Sequence, residues 1–447
     1  MAASGHIRAH LGASLSRRSA PVRQQPVTGA SPRRVYPTDF GADPTGKTDS
    51  TDAMKKAMAA LLDPSKASNR SMAAGIKDFG TATLDLAGGE YLISEPLVFP
   101  TYVGNVQVVA GTLRASSSFP TDAWLVMVGS PACTPQQQGC CNEFINFAEM
   151  LFDSSHRAAG GVYVAHTMGT TIGPSVFFHG YRKAGIDIEG GHEVMVQQAW
   201  LSEFYWDEKH DQTESIGILI NGNDHYLTDT ILFDYSKVGV EVNHAANILD
   251  GVHTWNGGGV GIAIHSPQNR LLGCYLDFNT LLITHPVNVF VEGGFFLDTN
   301  AVLQSTEDSK LIDGLVFRDN DFRNINVPSI EINGSFSAGG CFDIQDERSV
   351  TAPTVRTSRA RQSMRLEKAT VFSFDFDELL LPVIEEVMYS VTIEGTGFPR
   401  HAARAPNGTK VTIELDEPIT GAVTVEVVQG LQGCRKSNGR AATLFSV

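Results

Sequence analysis

Asp234 and Asp277 each stand a few residues ahead of a copy of a short Gly-aliphatic repeat, two repeats apart, and Asp298 follows one repeat later. Two carboxyl groups at a set spacing are what acid–base cleavage of an acetal requires: one protonates the leaving oxygen and the other activates water. Asp277 and Asp234 are therefore the candidate catalytic acid and base. At the same offset, or beside it, lie Asp153, Arg157, His179, Lys237, Trp255, Asn256 and Asp298. Acids, bases and a flat ring along one strip suit a chain of sugars, with rings to stack on pyranose faces and polar groups for hydroxyls or carboxylates. The plain alternative for any one of these aspartates is a solvated turn residue capping backbone N–H groups.

A second constellation joins Gly190-Gly191-His192-Glu193 to Asn223-Asp224-His225. His192 and Asp224 both follow a repeat Gly by seven residues, so they should be neighbours on successive turns. A His–Asp pair can serve as a general base, although bracing a turn is its commoner use. No His/Cys cluster has transition-metal spacing, no Gly-rich loop opens a helix, and no Gly-x-Ser-x-Gly elbow occurs, so neither a metal nor a cofactor is expected.

The repeat must position these groups. Gly161-Val-Tyr-Val, Gly185-Ile-Asp-Ile, Gly217-Ile-Leu-Ile, Gly239-Val-Glu-Val and Gly261-Ile-Ala-Ile, with a degenerate Leu281-Leu-Ile-Thr, follow at steps of 24, 32, 22, 22 and 20 residues. Each copy carries a second apolar cluster (Val194-Met-Val, Leu227, Ile248-Leu249, Leu271-Leu272). A third lies near Trp200, Ile231-Leu-Phe, Val252 and Tyr275-Leu276. Three short strands per coil of this period predict an all-β right-handed parallel β-helix, and the Leu-x-x-Leu-x-Leu pattern of a leucine-rich repeat is missing. Coils stack about 4.8 Å apart, so equal offsets form ladders on the outside. The long step holds an insertion, Phe204–Thr213, expected to project from one side.

Weaker copies at Val106–Val109, Phe144–Phe147, Leu315–Phe317 and Ile330–Ile332 extend the solenoid in both directions. Ahead of it, Asp49 or Ser50 should cap a helix running to about Leu62, with Asp52 near its positive end. Beyond about Arg348 the repeat gives way to period-two alternation in Val411–Leu415 and Val423–Val427. The expected organisation is a tail over 1–34, a β-helix with an N-terminal capping helix over 35–347, and a small β-rich C-terminal appendage over 348–447 that covers strand edges.

A net charge of −15 argues against nucleic acid or an anionic membrane as partner. No run of apolar residues is long enough to span a bilayer. The six cysteines fit no zinc pattern and permit three disulfides. Sequons at Asn69, Asn333 and Asn407 add to an extracellular reading. Residues 1–38 hold six Arg and no Asp or Glu, which leaves an organelle-targeting segment as the alternative.

The stretch Phe40-Gly41-Ala42-Asp43-Pro44-Thr45-Gly46 with Asp49-Ser50-Thr51, together with Gly89-Glu90-Tyr91-Leu92-Ile93, resembles the opening of the rhamnogalacturonase/epimerase-like pectate lyase domain of the pectate-lyase superfamily. Gly111–Ala115, Leu151–Ser154 with Arg157, Gly190–Glu193, Gly222–Asp224, Gly251–His253 and Tyr275–Asp277 are similar to quartet-type polygalacturonase-like proteins of plants. The resemblance spans roughly residues 35–430. It implies a monomeric β-helix at the cell wall or outside the cell, acting on a pectic polymer as a glycoside hydrolase. A polysaccharide lyase of the same fold and a catalytically silent wall-binding protein are the other readings.

The family's acidic motifs are absent from their usual slots: Arg182-Lys183-Ala184 precede Gly185, Ser215-Ile216 precede Gly217, and Lys237-Val238 precede Gly239. Either the chemistry has moved to the Asp234/Asp277 ladder or hydrolysis is lost.

Overall fold

The computed structural model describes residues 33–431 apart from 69–71, 73–74, 134–140, 205–213, 256, 258, 338–339, 346 and 350. Each sequence repeat forms one coil of three strands. In the coil that starts at Gly217 these are Ile216–Asn221, Tyr226–Thr228 and Ile231–Phe233, and the next coil begins with Val238–Val242. Neighbouring coils pair in parallel, with Ile218 beside Val240, Leu227 beside Leu249 and Leu232 beside Thr254. The chain is a right-handed parallel β-helix. Its first strands build a ten-stranded sheet, and its second and third strands build a long sheet that bends in every coil.

Local chemistry explains both the bend and the repeat glycine. Only one or two residues join the second strand to the third, and the first of them takes a left-handed conformation: Gln198, Asp229, Gly251, Gly273 and Gly293 have φ between 47° and 66°. The repeat glycine has a different cause. A Cβ on Gly239 would sit 2.5 Å from the Gly261 carbonyl oxygen, so the coils approach too closely for a side chain.

Within each strand the middle or alternate residues point inward, including Ile218, Ile220, Leu232, Val240, Leu276 and Phe296, all fully buried. Like residues stack up the inside, as in Phe152 on Phe178 (4.7 Å, 11°) and Phe296 on Phe322 (4.5 Å, 14°).

The N-terminal helix α1 spans Thr51–Leu61 and buries Met54, Ala57, Met58 and Leu61. Ser50 occupies the cap position without a side-chain bond to the helix, its Oγ accepting instead from the Asp43 N–H at 2.9 Å, while Asp49 Oδ1 accepts from the Thr51 N–H at 2.9 Å.

Toward the C-terminus, Arg359–Asp375, Glu386–Ile393, His401–Ala403 and Lys410–Val428 form a four-stranded sheet, antiparallel throughout. The two alternating runs expected here lie in one strand, Lys410–Val428. The sheet has its own apolar core around Phe372, Phe374, Val411, Val423 and Val425. Leu380 and Leu381 instead join the β-helix core, and Phe342 N–H donates to the Gly430 carbonyl at 3.2 Å.

The three disulfides that the cysteine count permits do not all form. Cys133 pairs with Cys141 and Cys341 is also disulfide-bonded, but Cys274 is a free thiol facing the coil interior. Its Sγ lies 3.6 Å from the Leu249 carbonyl, and with no partner cysteine inside the coil it packs as a small apolar group. Cys140 and Cys434, most of the expected insertion and the Asn69 sequon lie outside the described residues; Asn333 and Asn407 are exposed. No helix among the described residues is long and apolar enough to cross a membrane.

Candidate functional site

In most coils the third strand has three or four residues, and the two side chains that flank its central inward residue share the outer face. Parallel pairing lines these up in two columns. One runs Leu151, Phe177, Trp200, Ile231, His253, Tyr275, Phe295; the other runs Asp153, His179, Ser202, Phe233, Trp255, Asp277, Leu297. Rings dominate the middle of this face. Trp200 meets Phe233 at 6.1 Å, Phe233 stacks on Trp255 (5.3 Å, 13°), His253 stacks on Tyr275 (4.4 Å, 6°), and Tyr275 meets Phe295 at 4.7 Å. Trp200 keeps 48% of its surface open.

Asp277 stands at the edge of these rings. Its Oδ2 lies 3.4 Å from His253 Nε2 on the preceding coil, and its Oδ1 is enclosed with no hydrogen-bond partner. The neighbouring Tyr275 hydroxyl is raised above its usual range, first by burial and then by the Asp277 carboxylate. An imidazole–carboxylate pair beside open aromatic surface can pass a proton to or from a bound chain.

The single ladder read from the sequence divides in two. Asp277 aligns with Phe233 and Trp255, while Asp234 sits one residue past Phe233, in the turn. The reason is turn length. The register shifts between Val260 and Ile262, where the degenerate repeat lacks its glycine, so equal counts back from the repeat do not give equal columns. Asp234 is only 4% exposed, with φ 49°. Its carbonyl accepts from the Glu203 N–H at 3.2 Å. Asp298 occupies the matching turn position one coil beyond Asp277, exposed, with φ 53°.

Asp153 and His179 pair in register at the buried end of the face. Asp153 Oδ1 accepts from the Ser155 N–H at 2.8 Å, and the His179 ring lies 6.0 Å from His156. Arg157 is half-buried and donates through Nε to the Phe119 carbonyl. Lys237 is exposed on the turn after Asp234. Asn256 lies outside the described residues. The structure therefore brings Trp255 and Asp277 together on one surface, with Asp234, Lys237 and Asp298 along its turn edge.

The second constellation also assembles. His192 Nδ1 lies 3.4 Å from Asp224 Oδ2, and the Glu193 N–H donates to the Asp224 carbonyl at 3.1 Å. Behind it, His225 Nδ1 accepts from the Val194 N–H at 3.1 Å, and burial pushes this imidazole down to about 3. His225, Asn247 and Asn269 form an internal ladder, each Asn Oδ1 accepting the N–H of the residue one coil below at 2.9 Å. These bonds hold the turn on which His192 and Asp224 sit.

Counting offsets missed the columnar role of Trp200, Phe233, Tyr275 and Phe295, and left His253 out of the ladder. The available signal was period-two alternation within Ile231–Phe233, His253–Trp255 and Tyr275–Asp277, which puts both outer positions of each strand on one face. Among the described residues no group of three or more His, Cys, Asp or Glu side chains is placed to hold a metal ion.

Fold and repeat together define a β-helical protein of the pectate-lyase superfamily. More narrowly, residues 33–274 match the model of the rhamnogalacturonase A/epimerase, pectate lyase-like family, and the chain belongs to that family. It is 34% identical over 448 residues to polygalacturonase QRT3 of Arabidopsis thaliana, covering 94% of this chain and 90% of that one. Among solved structures, ORF18 of Geobacillus virus E2 superposes with a TM-score of 0.53 at 13% identity, covering 93% of this chain and 80% of that one, a likeness of fold alone.

Proposed function

We propose that the protein is a polygalacturonase-like glycoside hydrolase acting on pectic or related cell-wall polysaccharide, with the polymer lying along the ring-lined face. The observation that carries this reading is the Asp277–His253 pair at the edge of stacked, partly open rings. Asp277 protonates the glycosidic oxygen and His253 resupplies the proton. Asp234, two coils away and so about 10 Å along the axis between backbones, is the candidate water-activating carboxylate; side chains leaning together would come within the roughly 6.5–9.5 Å of inverting pairs. Arg157 and Lys237 are the cations for uronate carboxylates. On this reading the protein works as a monomer at the cell wall or outside the cell.

A second reading, a wall-binding protein without turnover, is favoured by the burial of Asp234 and by the empty acidic slots before Gly185, Gly217 and Gly239. Incubation with polygalacturonan separates the readings. Release of reducing ends without a 4,5-unsaturated product supports the hydrolase, unsaturated product identifies a lyase, and binding without product identifies the binder.

A further inference from the structure

The ten-stranded sheet presents a second polar face, away from the rings. Ile186, Ile188, Ile218, Ile220, Val240 and Val242 point inward and are fully buried, so Asp187, Glu189, Leu219, Asn221 and Glu241 point outward. Glu189 and Asn221 are partners in register, as are Leu219 and Glu241. Their side chains are linked across coils. Asn221 Nδ2 donates to Glu189 Oε2 at 3.1 Å, and Asn243 Nδ2 donates to Asn221 Oδ1 at 2.9 Å and to Glu241 Oε1 at 3.3 Å. Beside this relay Asp187 is 8% exposed, and its Oδ1 has no hydrogen-bond partner. A buried polar atom without a partner calls for an explanation in structure or in a ligand.

We propose that the outer face of Ala184–Glu189, Ile216–Asn221 and Val238–Val242 is a second glycan site, one that takes an uncharged, hydroxyl-rich chain. Glu189, Asn221 and Asn243 follow one another on successive coils, about 4.8 Å apart, so a chain laid along the axis meets a polar group at each of these three steps. Each sugar hydroxyl both donates and accepts, and the amides of Asn221 and Asn243 can answer in either sense. A uronate chain would instead face Glu189 and Glu241, and like charges brought together across an interface are strongly disfavoured.

The charged and titratable groups facing Asp187 are Tyr163 from the preceding coil, Glu189 on its own strand and Lys183 from the turn before it; the following coil contributes Leu219. Burial, then Glu189, raise the Asp187 carboxyl to about 7 against the pull of Lys183. Below that pH it is a hydroxyl donor, and above it the donor is lost. The site does not depend on turnover at Asp277.

The test is calorimetric titration of the whole protein with uncharged gluco-, xylo- and arabino-oligosaccharides and, separately, with oligogalacturonide. At least one uncharged chain should bind. Asn221→Ala should weaken it at least tenfold and leave oligogalacturonide binding unchanged. Wild-type affinity for the uncharged chain should fall as pH rises through about 7. Asp187→Asn, which keeps a donor and an acceptor, should bind with no such fall. Failure of every uncharged chain to bind overturns the proposal. So does binding indifferent to Asn221→Ala, or equal displacement by oligogalacturonide. None of these results touches the hydrolase reading, which turnover alone decides.

Discussion

His253 and Asp277 sit on consecutive coils with Nε2 and Oδ2 3.4 Å apart, and the imidazole is clamped flat against Tyr275 at 4.4 Å. The pair exists because parallel stacking lays His253-Thr254-Trp255 directly over Tyr275-Leu276-Asp277. If this pair moves the proton, Asp277→Asn should cut turnover of a pectic polymer by about a hundredfold or more, the usual worth of a general acid. His253→Gln should lower kcat with KM nearly unchanged, since the ring acts on a proton rather than on binding. Initial rates over a range of polymer concentrations separate the two effects.

The aromatic column should act on binding alone. Replacing Trp200 or Trp255 by Ala removes ring surface that a docked sugar would cover, worth about 1–2 kcal/mol each at ~25 cal/mol per Å², or roughly tenfold in affinity. Affinity electrophoresis in polymer-containing gels checks this, with thermal unfolding to show that the fold survives.

Much of this molecule was legible in its sequence, and the reasons differ by part. The solenoid was visible because Gly217, Gly239 and Gly261 meet a steric demand that recurs once per coil, and because buried strands must be aliphatic. The His192–Asp224 contact was legible too, since their turns follow a full repeat glycine by equal lengths. The catalytic ladder was not, because the turn after Asp277 is shorter than the turn after Phe233, and one residue of slip moves a side chain from face to turn. The role of Phe233 and Tyr275 was hidden for another reason. On a two-sided strand an outward ring and an inward ring look alike in composition, and only register tells them apart.

Stability should rest on the internal stacks. Phe178 is fully buried between neighbours and lies flat on Phe152. Phe178→Ala opens a cavity in the middle of the solenoid and should cost about 3–5 kcal/mol, read as a lower urea midpoint at unchanged slope.

Asp187 gives stability a pH dependence of defined sign. Its carboxyl titrates at about 7 in the fold and near 3.8 when unfolded. Between these values the folded state holds the extra proton, so stability falls as pH rises from about 4 to about 7 and levels off above. Asp187→Asn removes this loss and should leave the variant more stable than wild type above pH 7, by on the order of 4 kcal/mol. The two proteins should converge near pH 4, as denaturant titrations at several pH values would show.

Cys274 should be silent in the native state. Burial pushes its thiol up to about 12, and the thiolate is the reactive form. Peptide mapping after alkylation should find Cys274 unmodified in native protein and modified once denaturant is added. Rapid native labelling would show that the coil interior is open at that point.

Chemistry at the ring-lined face decides between the hydrolase and the binder. Its most direct test is the mass of products released from polygalacturonan by wild type and by Asp277→Asn. Wild type should release saturated galacturonides, each cleavage adding one water, and the variant should release almost none while binding the polymer as before. Equal product from both proteins, or none from wild type, would contradict it.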